Sequence, residues 1–121
     1  MIIFKPGAEP HSLRPEIYSI FPILDGVFGT YNVNCIITCT DGDHGPDDPH
    51  PNGFAVDCRT WHIPGLDDVS GRMLAVMIQR TLGKLYYVQY EPIVYMPNGK
   101  DIKNGPHIHI QIKKAIWPTL K

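Results

Sequence analysis

A chain of 121 residues is long enough for one continuous core and too short for two. Its 43% hydrophobic and 19% charged residues are ordinary for a globular domain, and a formal net charge of -1 gives no electrostatic reason to expect nucleic acid as a partner. No apolar run reaches the roughly eighteen residues of a membrane span, and Met1-Ile2-Ile3-Phe4-Lys5-Pro6 lacks the apolar core of a signal peptide, so the expected product is soluble and made without a secretion signal of its own.

Twelve prolines and eleven glycines predict many loops. Residues 1–11, with two prolines and a glycine, read as an extended arm. From residue 12 the pattern turns helical: Ile17, Ile20, Phe21, Leu24, Val27 and Phe28 recur at helical spacing, with Pro15 in the permitted first turn. Pro22 is predicted to kink this helix or end it early. Residues 35–40 (Cys-Ile-Ile-Thr-Cys-Thr) form a β-rich run. The polar segment 41–52, with its glycines, prolines, aspartates and two histidines, is loop. Phe54, Val56 and Cys58 then alternate with Ala55 and Asp57 as in a short strand. After a turn at Pro64-Gly65, an acidic start at Asp67-Asp68 and a closing Gly83 bound a helix to Leu82. Val69, Met73, Val76, Met77 and Ile78 supply its apolar side, and the two methionines read as core filling. Residues 84–90 read as a strand, 97–100 as a hairpin-like turn in a longer excursion, and 107–113 as the returning strand. The expected fold is a single α+β domain, 1–121 with its core at 12–113: a small antiparallel sheet flanked by two helices.

Two stretches carry candidate chemistry. His50-Pro51-Asn52-Gly53-Phe54-Ala55-Val56-Asp57 places a histidine and a carboxylate at either end of a turn, so the two can converge. In the second, Ile108, Ile110 and Ile112 fall on one side of a strand while His107, His109 and Gln111 fall on the other. Two histidines and an aspartate suit zinc with a fourth position left open for water, at the sheet and its adjoining loop. A His-x-His pair alone is weak, because polar residues on a solvated strand face alternate in the same way. Cys35, Cys39 and Cys58 are too few for a disulfide framework and lack zinc-finger spacing; they read as reduced and buried. Asp41 and Asp43 begin like a calcium loop, but Gly45, Pro46 and Asn52 occupy positions that such a loop reserves for other residues.

Asp43-His44, then His50-x-x-Gly53-x-Ala55-x-Asp57-x-Arg59-Thr60, then Leu82-Gly83 leading into a strand ending near Glu91, then His107-x-His109, together resemble the zinc D-alanyl-D-alanine peptidases and murein endopeptidases related to lysostaphin-type enzymes. The resemblance is closest to the small stand-alone members carried by bacteriophages, and it covers roughly residues 12–113. It implies a small antiparallel sheet with flanking helices and a catalytic Zn2+ held by His50, Asp57 and His109. The implied substrate is a peptidoglycan peptide, hydrolysed as a D-Ala-D-Ala carboxypeptidase or an endopeptidase would. It offers two catalytic bases, His107 and Glu91. Glu91 lies sixteen positions before His107, so its carboxylate arrives only if residues 92–106 form a hairpin excursion that restores strand register. Either histidine of the pair can be the third ligand, and His44 competes with His50 for the first. His44 and Arg59 are the candidate substrate-binding residues, the bland readings being a solvated loop histidine and a structural ion pair. Such an enzyme would act in the host cell wall or be carried in a virion. The alternative is a non-enzymatic virion or accessory protein that keeps the fold with a structural zinc.

Overall fold

The computed structural model describes residues 1–8, 13–39, 53–60 and 67–116, with the backbone alone for Cys39 and Asn104. Strand β1 (Ile2–Phe4) is followed by helices α1 (Pro15–Tyr18) and α2 (Phe21–Gly29) and by β2 (Cys35–Cys39). Part of the stretch read as an extended arm is therefore a strand. It pairs in parallel with β2, Ile2 opposite Cys35 and Phe4 opposite Ile37. A parallel pair needs a long crossover, which α1 and α2 provide. Pro22 acts as its chemistry requires: it lacks an N–H to bond the carbonyl of Tyr18, α1 stops at Tyr18, and α2 restarts with Pro22 in its first turn, where no donor is missed. Ile17, Ile20, Leu24, Val27 and Phe28 are all buried, which is the face that the spacing predicted.

Gly53 enters β3 (Ala55–Arg59) at φ 74, a conformation that a side chain would strain. Helix α3 (Asp68–Leu82) begins where Asp67 Oδ1 accepts a 2.8 Å hydrogen bond from the Ser70 amide, and ends at Gly83, whose φ is 82. Its buried face is Gly71, Leu74, Ala75 and Ile78. Of the expected apolar side only Ile78 is buried; Met77 packs at the edge of the core, while Val69, Met73 and Val76 face solvent. Only one of the two methionines is thus core filling. Small residues explain the rotation. A Cβ on Gly71 would lie 2.5 Å from Tyr90 Cε1, so the helix turns its smallest side chains toward the sheet to approach it closely.

The remaining strands are β4 (Tyr86–Glu91), β5 (Val94–Tyr95), β6 (Ile102–Asn104) and β7 (His107–Ile112), and a 3-10 turn follows at Lys114–Ile116. The main sheet runs β1-β2-β3-β7-β4, antiparallel except for β1 with β2, and β5 pairs with β6 as a separate ribbon. The architecture is α+β, with the helices gathered on one sheet face. Ile108, Ile110 and Ile112 are fully buried against them; each contributes about 1.5–3 kcal/mol by burial. Cys35 and Cys58 are buried free thiols with Sγ atoms 3.6 Å apart. Contact with Cys35, then burial, pushes the Cys58 thiol well above its ordinary value and keeps it protonated and inert. Among the described residues no helix is long and apolar enough to cross a membrane.

Candidate metal and proton-transfer site

The alternation that sends the three isoleucines into the core sends His107, His109 and Gln111 to the opposite face, half-buried. The neighbouring strands extend this into rows, because residues opposite one another in antiparallel strands share a face. One row is Arg59, His107 and Glu91; the next is Asp57, His109 and Gln89; the third is Ala55, Gln111 and Tyr87. Ala55, expected on the polar side, is nonetheless fully buried.

Side chains within and between the rows meet at hydrogen-bonding distance. His109 Nδ1 lies 2.9 Å from Asp57 Oδ1, and His109 Nε2 lies 2.7 Å from Gln111 Oε1. His107 Nε2 lies 2.7 Å from Glu91 Oε2 and 4.0 Å from Asp57 Oδ2, while its Nδ1 lies 3.0 Å from the Gly105 carbonyl oxygen. The side chains of Asp57 and His109 are 16% and 13% exposed and that of Glu91 is 44%, so the cluster opens to solvent on the Glu91 side.

Both histidines set the same proton inventory. A carbonyl oxygen only accepts, so His107 donates from Nδ1 to Gly105 and its Nε2 is the variable position. Facing a carboxylate at 2.7 Å, that position needs one proton between nitrogen and oxygen. The same holds for His109, both of whose ring nitrogens also face oxygens. A neutral imidazole has one N–H, so the other nitrogen needs either a second proton or a cation between itself and its oxygen.

A histidine nitrogen and a carboxylate oxygen are donor types that zinc takes. Two atoms each about 2.0–2.1 Å from a tetrahedral zinc lie roughly 3.3 Å apart, whereas His109 Nδ1 and Asp57 Oδ1 are 2.9 Å apart, the separation of a hydrogen bond, so holding an ion between them needs the pair to open slightly. Among the described residues no three His, Cys, Asp or Glu side chains form a group that could hold a metal, so the pair needs a third donor from elsewhere. The resemblance assigns that role to His50, which lies outside the described residues, as does His44. Of the other candidates, Asp57, His107, His109 and Glu91 converge, and Arg59 stands in register beside His107.

Glu91 reaches the cluster because residues 92–106 are a hairpin excursion. The β5–β6 ribbon turns at Gly99, φ 72, where Asn98 Oδ1 accepts from the amides of Lys100 and Asp101. The chain returns with Glu91 directly opposite His107. Sequence reading overlooked two partners, Gln111 and the Gly105 carbonyl. Gln111 was signalled by its place in the His-x-His-x-Gln alternation; a backbone carbonyl leaves no signal in side-chain identity. Compared with protein-family models, curated proteins and solved structures, the chain matches none. The likeness to zinc peptidases therefore rests on the residues themselves.

Proposed function

We propose that this chain is a zinc-dependent peptidase that hydrolyses peptidoglycan peptides, of the D-Ala-D-Ala carboxypeptidase or endopeptidase type. It would act at a host cell wall or from a phage particle that carries it. The observation that carries the reading is the division of labour between two histidines two residues apart. His109 turns a nitrogen toward the Asp57 carboxylate, and His107 turns one toward Glu91. In this reading Asp57, His109 and His50 hold the ion. Zinc, when bound, supplies Lewis acidity toward a scissile carbonyl and makes water a better nucleophile.

The chain's own groups do the rest. The Gly105 carbonyl fixes the His107 ring so that Nε2 faces the reaction side. Glu91 Oε2 and His107 Nε2 hold one position for a proton, which can be filled from the attacking water and emptied onto the leaving amine. At 4.0 Å from Asp57 Oδ2, His107 Nε2 sits close enough to the metal-facing carboxylate for both functions to act on one peptide bond. In this reading Arg59, in register with His107, would contribute to binding a substrate carboxylate.

The test is metal content followed by release of amino groups from purified peptidoglycan. The parent is expected to bind one zinc, lose activity to a chelator and regain it with zinc. Asp57→Ala and His109→Ala should lose the metal. His107→Ala should keep it and lose about 10²–10⁴-fold in turnover. A zinc-loaded parent that releases no amino groups would replace this reading with that of a virion or accessory protein with a structural ion.

A further inference from the structure

We propose that the groove between α3 and the outer edge of β4 binds the C-terminal end of an extended peptide, which adds as a short antiparallel strand at Val88 and Tyr90 and sets its carboxylate against Arg80. The inference is independent of the metal reading above. A cavity of about 530 Å³ follows this edge, walled on one side by Arg72, Val76, Gln79 and Arg80 of α3 and on the other by Val88 and Tyr90 of β4. Its volume is that of a ligand pocket.

Strand register decides which backbone groups face the groove. The Lys113 amide donates to the Leu85 carbonyl, so Tyr87, Gln89 and Glu91 bond to β7, while Tyr86, Val88 and Tyr90 turn their amides and carbonyls outward. The Tyr86 amide donates to the Gly83 carbonyl, and Gln79 engages the Tyr86 carbonyl and the Val88 amide. Among the described residues the Val88 carbonyl and the Tyr90 amide and carbonyl make no hydrogen bond. An antiparallel peptide residue opposite Tyr90 exchanges two hydrogen bonds with it, and the peptide residue two further on donates to the Val88 carbonyl. Beyond that point the peptide finds no backbone donor, because Gln79 Oε1 already holds the Val88 amide at 2.9 Å. A terminal carboxylate suits this place. Arg80 adjoins Gln79 at the Val88 end and has no ion-pair partner among the described residues, whereas Arg72, over the Tyr90 ring at the other end, is paired with Asp68 at 3.0 Å. The two arginines are eight residues apart on the helix, about 12 Å, which three to four extended residues span. Residues opposite one another share a face, so the first and third peptide side chains lie beside Val88 and Tyr90, where Ala75 and Val76 line the cavity and favour apolar groups.

The experiment titrates the 15N-labelled full chain with acetyl-Val-Ser-Val, as the free acid and as the C-terminal amide, and follows the backbone 1H–15N shifts. The acid is expected to move the Tyr90 amide most, with a Kd on the order of 0.1–1 mM from three backbone hydrogen bonds and one charged contact. The amide form should bind about tenfold more weakly. Arg80→Gln should bring the acid down to the level of the amide and leave the affinity of the amide unchanged. Val76→Glu, which offers Arg80 a carboxylate one helical turn away, should remove the advantage of the acid in the same way. Equal affinity of acid and amide for the parent, shifts confined to residues outside the groove, or no shift at about 10 mM acid would each overturn the proposal. So would a parent that sediments as a dimer and separates in Val76→Glu, because the edge would then take a strand of a second copy.

Discussion

Between Glu91 Oε2 and His107 Nε2, 2.7 Å apart, there is room for one proton and a need for it, because without it two acceptors face each other. In the proposed peptidase the pair should therefore behave as one functional unit, with Glu91 and His107 serving as the base together. Glu91→Gln removes the carboxylate that shares the proton, and His107→Ala removes the nitrogen. We expect each single change to cost about 10²-fold or more in turnover, and the double variant to be no slower than the worse single variant, since a unit broken once is not broken further. Initial rates of amino-group release for the four proteins check this. Losses that multiply would mean that the two residues act separately. The same residue-level reasoning explains why Asp57 was recognisable early: a carboxylate flanked on its strand by Ala55, Val56 and Cys58, all buried, has a reason to be there other than solubility.

At the scale of elements, β4 is the edge of the sheet, and edges invite pairing with other chains. Gln79 of α3 blunts this one. Its amide nitrogen donates to the carbonyls of Tyr86 and Gly83, at 2.9 and 3.0 Å, and its oxygen accepts from the Val88 amide at 2.9 Å, so the side chain stands in for a short piece of missing strand. Gln79→Ala should lower stability by about 1–2 kcal/mol and expose the edge. Urea unfolding reads the first effect and sedimentation velocity the second; a variant with unchanged midpoint and no self-association would refute the capping role. Because β4 carries Glu91, the same helix contact keeps the proton-carrying row in place. The β5–β6 ribbon is the other decisive element, since its length and its turn at Gly99 set whether Glu91 and His107 face each other or miss by a residue.

For the molecule as a whole, three groups near the α3–β4 contact shape stability against pH. The Ser70 amide holds the Asp67 carboxyl below its ordinary 3.8, and the Arg72 guanidinium does the same for Asp68. Burial, then the Asp68 carboxylate, raise the Tyr90 hydroxyl above 10.0. A lowered carboxyl contributes stability that is complete above 3.8 and lost as pH falls through its folded value. A raised phenol has the opposite sign: stability is whole below 10.0 and lost as pH rises toward the folded value. Melting temperatures across pH should thus fall at both ends, gently on the acid side because both carboxylates are exposed. Tyr90→Phe should flatten the alkaline fall, and an unchanged alkaline limb would contradict the assignment. Much of this molecule was legible in its amino-acid order: the helix breaks at Pro22 and Gly83, the inward isoleucines, the outward histidines, and the strand that presents Asp57. Each follows from local bond geometry and nearest-neighbour chemistry. The pairing of β1, the buried face of α3, the meeting of Glu91 with His107, and the contact between the side chains of residues 109 and 57 were settled only by tertiary structure. Register and close approach depend on contacts between residues far apart in the chain, which no local pattern of residues can set.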